Sequence, residues 1–545
     1  MSLCRSWRLA QICVLFLCGV MAAPNAAWSQ NNQPAQPNQG NAGGGNAGGN
    51  ALGSFGAVPL PNLPGADYYL ARSLYYNGDY ASARRSFVDV SRGGIKGGDG
   101  ARWIDSICYH TMLGECHYQL GDLALSLEQH NAALALYMAH LGWMMRVEFP
   151  PVPDVMTKVD RPPTWGASSR NSVLGRYTDT LRSLQGNSLA GNQAAVQQGG
   201  VVSTAQLQPV GAMEVLRCIA VSLHRRAELI GPTGAHDPIT QTLSDAISRR
   251  PAMPNHWTQC FIDLQLGLAY LAAGKHAQAS SELQKSLLAG GQFEHPMTCI
   301  ALLNLGRIAF STGQWDAAMA AFTEATYSAS VYGQWDVMEE AFRGAVATHL
   351  TRGNKTFLAP LAPAADWAMK SSVTLEASLL VLGAENLLAI GETQRAMALL
   401  TRARAVIGRH EALAGQVGAR YHYELAKAQF QAGNLAPGST ALATCMAFQS
   451  KGSRRLFQIA LADNLYTQGI ISDRVADTLY SDVLREPQPN DWNSEPMETL
   501  GVVMTPKMLP MEHWFEVALK RNEQEKACEI VDRMKRQKFL SLIHI

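Results

Sequence analysis

The sequence predicts an all-α fold in which antiparallel helical hairpins follow one another as a solenoid. Two tandem segments between residues 260 and 330 predict it most clearly. The first contains Leu266-Gly267, Tyr270, Gly274, Ala279 and Leu283, and the second contains Leu305-Gly306, Phe310, Gly313, Ala318 and Phe322. In the second segment the apolar residues recur at i, i+3, i+4 and i+7, so each helix carries one apolar stripe. Such a stripe has to pack against a second helix, and the glycine between the two stripes predicts the turn that joins them.

A glycine recurs between the apolar segments along the chain. The positions are Gly78, Gly121, Gly274, Gly313, Gly353, Gly391, Gly433 and Gly469. Each follows one apolar segment and precedes the next, as expected where a glycine adopts the left-handed conformation that ends a helix. From Gly274 onward, successive glycines are separated by 39, 40, 38, 42 and 36 residues. We therefore expect hairpin units of about this length.

The two clearest segments resemble the tetratricopeptide repeat. That repeat has Leu-Gly and an aromatic residue on helix A, then Ala and an aromatic residue on helix B. Leu305-Gly306, Phe310, Ala318 and Phe322 fit this order. The glycine spacings exceed the 34 residues of the strict repeat, and HEAT-like helix pairs, with periods of about 40 to 47 residues, are the structural alternative. Gly306 and Ala318 are small where the two helices would touch, which allows close approach, while Phe322 fills the groove beside them. These small residues favour a TPR-like solenoid, because HEAT repeats do not need them.

Residues 1–29 have the order of a secretory signal peptide. A positively charged start precedes an apolar run from Ile12 to Ala23, and the small residues Ala27 and Ser29 place cleavage before Gln30. The alternative is an uncleaved membrane anchor, but the apolar run is shorter than the ~20 residues that span a bilayer. The signal predicts an exported bacterial protein, periplasmic or extracellular, without a membrane span after cleavage.

Two low-complexity stretches divide the chain. Residues 30–57 are rich in Asn, Gln and Gly, have little apolar surface and are expected to form a disordered linker. Residues 149–208 combine a Pro-rich segment, which must be extended, with a disordered Gln/Gly-rich insertion. We expect the Pro-rich part to pack over a hairpin. This leaves N-terminal TPR-like hairpins at 58–148 and a main helical-repeat array at 209–545.

The carboxyl-terminal half carries weaker copies of the pattern. Pro360 and Pro363 fall in the second helix of one copy, where we expect a kink or a shortened helix. The stretch from Pro487 to Pro510 is interpreted as a loop. The apolar end of the chain, at Phe539 to Ile545, has no following element to cover it. We expect either that this end packs against an earlier repeat or that the chain is the first part of a longer product.

Composition restricts the class of partner. The chain has 47% hydrophobic and only 16% charged residues, against about 25% charged in a typical soluble domain. The formal net charge is +1 at pH 7. Since nucleic-acid binding depends on neutralising phosphates with basic residues, the sequence predicts no nucleic-acid partner.

Motifs for chemistry are incomplete. His410-Glu411 resembles the start of a zinc-protease helix, but Ala414 occupies the position of the second histidine. His110 and His117 are attributed to helix packing. The seven cysteines that remain after signal cleavage have no CxxC spacing and an odd count, so we expect buried thiols rather than disulfides. No catalytic, metal-binding or cofactor-binding residue is predicted, and we expect no enzyme in this chain.

The tetratricopeptide resemblance implies a binding groove. In that family helices A line a concave surface that holds a peptide or helix of a partner protein. Transferred by position, the candidate partner-binding residues are Tyr68, Arg72, Tyr75, Tyr76, Glu115, Tyr118, Arg307, Phe310, Tyr423, Lys427 and Phe430. Aromatic residues beside single cations suit peptide recognition. The alternative is that some of these side chains only pack against the next helix.

Two functions are compatible with these features. The first is an exported scaffold that binds peptide or protein partners in the groove of the array. The second is a sensory or regulatory arm of a larger protein whose effector domain, possibly catalytic, lies beyond residue 545. The Lys and Asn set with which chaperone-binding members hold a terminal carboxylate is absent as a set, so chaperone tails are not the expected partner.

Overall fold

The structure is a computed structural model. It describes residues 62–96, 102–185, 206–408 and 414–543, with a few isolated positions between 185 and 206, and side chains up to residue 536. The predicted signal peptide, the linker and most of the Gln/Gly-rich insertion lie outside the described residues. His410-Glu411 and the side chains of the apolar carboxyl end lie outside them as well.

Helices make up most of the described chain, which confirms the all-α fold class. The first half contains α1 (Ala66–Tyr76), α2 (Tyr80–Ser91), α3 (Ser106–Leu120), α4 (Leu123–Ala139), α5 (Ala212–Ile230), α6 (Pro238–Ile247), α7 (Gln259–Ala272), α8 (His276–Lys285), α9 (Thr298–Ser311) and α10 (Trp315–Tyr332). The second half contains α11 (Trp335–Thr351), α12 (Leu361–Ala368), α13 (Val373–Ala389), α14 (Thr393–Ile407), α15 (Gln416–Gln431), α16 (Leu435–Gly452), α17 (Arg454–Thr467), α18 (Asp473–Val483), α19 (Pro489–Ser494), α20 (Pro496–Met504), α21 (Met508–Lys520) and α22 (Gln524–Ile543).

Consecutive helices pack as hairpins. The pairs are α1 with α2, α3 with α4, α7 with α8, α9 with α10, α13 with α14, α15 with α16, α17 with α18, and α21 with α22. Helix α5 packs against α3, α4 and α7, so it carries the core from the first two hairpins into the later ones. Residues Asn62–Ile545 accordingly form one compact unit.

The turn glycines adopt the predicted conformation. All eight have positive φ, from 69° at Gly469 to 84° at Gly391. Gly333, which the sequence pattern missed, ends α10 in the same left-handed conformation, with φ 66°. The helix that holds Pro363 is α12, and its eight residues confirm the expected shortening.

Small residues on one helix receive large side chains from the next. A Cβ atom added at Gly306 on α9 would lie 2.7 Å from the ring of Phe322 on α10. The same relation, 16 residues apart, joins Gly114 to His130, Gly267 to Leu283 and Gly383 to Leu399. The predicted close approach of the helices at Gly306 is therefore confirmed. His130 occupies the aromatic position of its hairpin and is fully buried.

The Pro-rich segment packs over the helices, as predicted. Trp165 is buried, and its Nε1 donates to Thr326 Oγ1 at 3.0 Å. Its ring contacts Tyr327, Phe342 and Trp367. The same region contributes short strands. In one sheet, β2 (Val173–Arg176) lies between antiparallel β1 (Asp154–Val155) and parallel β5 (Phe293–Glu294); β3 (Leu181–Gln185) pairs antiparallel with β4 (Gln206–Val210).

The interpretation of Pro487 to Pro510 as a loop is wrong. This stretch contains α19, α20 and the start of α21. Pro489 and Pro496 are the first residues of α19 and α20. Proline is tolerated there because the first amide of a helix has no partner within the helix, and the fixed φ of proline already suits the helix.

The described cysteines are free thiols. Six are buried, as predicted, but the expectation of a buried thiol is wrong for Cys528, which is exposed. Of the helices in the described part of the chain, none is both long enough and apolar enough to span a membrane.

Candidate binding groove

Two openings lie along the first helices of the hairpins. The larger, here called the Phe310 cleft, has a volume of about 280 Å³. Its lining residues are Arg307, Phe310, Phe322, Glu340, Arg343, Gly344, Ala347, Arg454, Ser494 and Glu495. The smaller, here called the Tyr423 cavity, has about 50 Å³ and lies between α11, α13, α15, α16 and the segment of α19 and α20. A volume of that size holds only a few water molecules.

Three of the predicted groove residues line these openings. Arg307 and Phe310, one helical turn apart on α9, form one wall of the Phe310 cleft. The Arg307 side chain is 31% exposed, and the Phe310 ring is partly buried edge-on against Trp315, with ring centroids 5.2 Å apart. Tyr423 lines the Tyr423 cavity from α15. The structure therefore brings Arg307 and Phe310 together at an accessible surface.

Four predicted groove residues are core residues instead. Tyr68, Tyr75, Glu115 and Tyr118 are all buried. The Tyr68 hydroxyl donates to Glu214 on α5, and the Tyr75 hydroxyl donates to Asp336 on α11 at 3.3 Å. Later helices cover the inner faces of the first two hairpins, so these side chains pack against the next elements, as the alternative interpretation proposed.

The remaining candidates lie at the margins. Arg72 pairs with Glu214 at 2.8 Å. The Tyr76 carbonyl accepts from Ser372 and Thr374, at 2.9 and 3.1 Å, and so joins α1 to the start of α13. Two residues lie on α15 beyond Tyr423. Lys427 pairs with Glu424 at 2.8 Å, and Phe430 is exposed beside Gly438.

A largely buried network of ion pairs, here called the charge cluster, reaches the Phe310 cleft through Arg307, Glu340 and Arg454. It consists of Glu115, Arg225, Glu228, Arg307, Glu340 and Arg454. Arg225 is only 2% exposed and binds Glu115 through two hydrogen bonds, at 2.9 and 3.0 Å. It also bonds Glu228, and Glu340 at 3.0 Å, and lies over the Tyr118 ring. One guanidinium thus bonds three buried carboxylates, and the three arginines of the cluster together balance its three glutamates.

The electrostatics of the charge cluster favour ionised carboxylates. Burial by itself raises the pKa of Glu115, but the Arg225 guanidinium and the His130 imidazole, whose Nε2 lies 3.4 Å from Glu115 Oε1, outweigh burial and hold this pKa at about 2. The pKa of Glu340 is likewise lowered despite burial, because Arg225 and Arg307 face it. Breaking a buried pair by removing one partner is expensive, since it leaves an uncompensated charge. The cluster therefore fixes the relative positions of α3, α5, α9, α11 and α17.

Three members of this region have metal-ligand chemistry. Ligand atoms of His224, Glu228 and Glu340 lie within 4.8 Å of one another. Arg307 bonds Glu340 at 2.6 Å, and Arg454 bonds Glu228. Because guanidinium groups already supply the positive charge, this donor set suits an ion-pair network better than a metal site.

The Tyr423 cavity has a second set of buried charges. Arg420 bonds Glu339 at 2.6 Å, and Arg343 bonds the same carboxylate. Burial raises the pKa of Glu424 to about 7, against the opposing effect of Lys427. The cavity is therefore lined by charged groups that pair with each other.

Sequence reasoning missed the role of α5. Glu214, Arg217, His224, Arg225 and Glu228 occupy a helix whose apolar periodicity marks it as buried. Charged residues on such a helix need buried partners. The sequence therefore indicates that the charged residues of α5 are paired. It does not identify their partners, because these come from distant helices.

These observations define a class of protein: an all-α protein built of successive helical hairpins. Residues 258–326 match the tetratricopeptide repeat model, so the chain contains tetratricopeptide repeats where its two clearest hairpins lie.

The chain is similar to the crystal structure of the yeast Tom70, with 12% sequence identity and a TM-score of 0.26, over 77% of this chain and 98% of that chain. Among curated proteins, none matches the chain.

Proposed function

We propose that this protein is an exported scaffold that binds a peptide segment of a partner protein in the Phe310 cleft. The observation that carries this proposal is the composition of the cleft: the Phe310 ring and the Arg307 guanidinium on α9 share an open cleft with Arg343 on α11. Aromatic residues and arginine dominate the binding energy of protein interfaces. The cleft is therefore suited to a peptide that presents an apolar side chain and a hydrogen-bond acceptor.

The apolar side chain of the partner would lie against the Phe310 ring, which is partly buried. Phe322 and Ala347 also line the cleft but are buried, and the Phe322 ring packs closely against Gly344. Arg307 would contribute hydrogen-bond donors at the rim. Its guanidinium already bonds Glu340 at 2.6 Å, so an Arg307 substitution would alter the charge cluster as well as binding. Phe310 is not part of the charge cluster, so a change at Phe310 tests binding without removing an ion pair.

We expect a photoreactive phenylalanine analogue at position 310 to form a light-dependent adduct with a partner protein in envelope fractions. The analogue is close in shape to the ring it replaces, so the fold is preserved. The measurement is the mass of the adduct. The matched control places the same analogue at Leu435, which is 70% exposed and is not a lining residue of either opening. An adduct of equal yield at both positions would contradict binding in the cleft.

Export is a separate part of the proposal. The order of charged, apolar and small residues in 1–29 supports a cleaved signal peptide. We expect the mature protein in the cell envelope to begin at Gln30, as measured by amino-terminal sequencing. Recovery of intact Met1 from the cytosol would refute export, without affecting the cleft.

A further inference from the structure

We propose that α19 together with Glu495 is an internal ligand of the binding groove, and that the partner that displaces it is a peptide with acidic residues beside an apolar side chain. This inference rests on the proposed function, because it names the chemistry and the regulation of the same groove. It assigns residues 489–495, here called the strap, a role that goes beyond connecting α18 to α20.

The strap lies where the two openings meet. Ser494 and Glu495 line both the Phe310 cleft and the Tyr423 cavity, and Arg343 and Arg454 line both from the opposite side. Helix α19 packs on α11, which carries Arg343. The strap therefore separates Arg307 and Phe310 at one end from Tyr423 at the other. Without it, the two openings would form one groove across α9, α11 and α15, long enough for several residues of a peptide.

The strap places a carboxylate on the central cation of this groove. Arg454 bonds Glu228 on one side and Glu495 on the other. Glu495 is 38% exposed, whereas Glu228 is only 6% exposed. The pair of Arg454 with Glu228, here called the inner pair, belongs to the charge cluster. The pair of Arg454 with Glu495, here called the outer pair, is at the surface. A carboxylate of another chain could take the place of Glu495 without disturbing Glu228.

The charge balance of the Phe310 cleft depends on this one residue. Its charged lining residues are three arginines, at positions 307, 343 and 454, and two glutamates, Glu340 and Glu495. When Glu495 leaves, Arg454 loses its outer carboxylate and keeps Glu228, while Arg307 keeps Glu340 and Arg343 keeps Glu339. An acidic peptide restores the balance, whereas a basic peptide would be repelled, and this complementarity selects the partner. The partly buried Phe310 ring is available to a neighbouring apolar side chain.

The contacts of the strap are of the kind that open readily. Helix α19 buries none of its residues, and Trp492 is 41% exposed. Its bonds to neighbouring elements are polar: Asn493 Nδ2 donates to Thr351 Oγ1 at 3.3 Å, Arg485 donates to the Asp491 carboxylate at 2.6 and 2.7 Å, and Thr499 Oγ1 donates to the Asp491 carbonyl at 3.1 Å. By contrast, α20 buries Met497 and Val502. Since local opening is cheapest where few apolar contacts are lost, the strap can leave the groove while α20 stays in place.

The test uses a fluorescent synthetic peptide of residues 485–498 as the probe, added to the full mature chain with Cys528→Ser. An attached segment competes at an effective concentration in the millimolar range, so wild-type protein should bind the peptide weakly. The Glu495→Gln variant, which loses the outer ion pair, should bind it at least tenfold more tightly. The control Glu486→Gln removes a glutamate whose contact is outside the groove, with Arg536, and should behave as wild type.

A disulfide provides the opposite test. Asn493→Cys with Thr351→Cys should lock the strap when oxidised, because the two side chains are already in contact. The locked protein, in the Glu495→Gln background, should not bind the peptide, and reduction should restore binding. A peptide carrying Glu495→Gln, Asp491→Asn and Glu498→Gln should bind at least tenfold more weakly than the acidic peptide.

Equal binding by locked and reduced protein would overturn the role of the strap, and equal binding of the acidic and amide peptides would overturn the acidic chemistry. Both outcomes are separable from failure of the proposed function. If position 310 crosslinks a partner with the strap locked or free, the cleft binds partners and the strap does not regulate it. If position 310 crosslinks nothing while the peptide binds as expected, the strap proposal stands and the partner-binding proposal fails.

Discussion

Gly306→Leu is expected to lower the free energy of unfolding by about 3 kcal/mol, the upper end of the range that is typical of overpacking in a core. The reason is the position of the Phe322 ring. A Cβ at Gly306 would lie 2.7 Å from this ring, and a Cβ at Gly344 would lie 2.5 Å from the same ring. Phe322 is 2% exposed and is enclosed between α9 and α11, so it cannot move aside. Denaturant midpoints measured by circular dichroism test this expectation.

The matched control for this prediction is a double-mutant cycle with Phe322→Leu. The smaller side chain vacates space that the leucine introduced by Gly306→Leu would occupy, so the double variant should be more stable than the sum of the two single effects predicts. Contacting residues show such coupling, whereas separated residues add within about 0.3 to 0.5 kcal/mol. Wild-type stability for Gly306→Leu, or an additive cycle, would show that the two residues do not meet.

Arg225→Met is expected to cost about 3 to 5 kcal/mol at neutral pH, because it removes one partner from a buried set of ion pairs. Glu115, Glu228 and Glu340 would lose the guanidinium that bonds all three. Methionine retains the apolar length of the side chain, so the effect is that of lost charge. The measurement is again the free energy of unfolding in denaturant.

The matched control is Arg402→Met, which also removes an arginine bonded to two carboxylates, Asp366 at 2.8 Å and Glu376 at 2.9 Å. Its side chain is 38% exposed, and exposed pairs contribute about 0 to 1 kcal/mol. Equal losses for the two variants would show that burial does not decide the contribution of the pair.

The pH dependence of the Arg225→Met effect has a definite sign. In the wild type the pKa of Glu115 is about 2, below its ordinary value of 4.5. Its ionisation therefore contributes stability that is present above pH 4.5 and is lost as the pH falls toward 2. Without Arg225 the largest influence left on this pKa is burial, which raises it. The difference between wild type and variant should be largest at neutral pH and should shrink toward pH 3.

By itself the sequence determined the hairpins, the turn glycines and the contact between Gly306 and Phe322. These features are local. Helix periodicity, a residue with positive φ and a small–large contact 16 residues apart within one hairpin are all contained in a short window of sequence. The sequence also predicts part of the lining of the two openings, since position in the repeat places Arg307, Phe310 and Tyr423 on the inner face.

The tertiary structure alone decided which inner faces stay accessible. Tyr75 meets Asp336 from 261 residues away, and Tyr76 meets Ser372 from 296 residues away. The charge cluster joins α3, α5, α9, α11 and α17, and the strap reaches the groove from beyond α18. A single hairpin pattern cannot specify these contacts, because they depend on how successive repeats rotate relative to one another. That rotation accumulates from every interface in the array and brings distant helices over the first two hairpins.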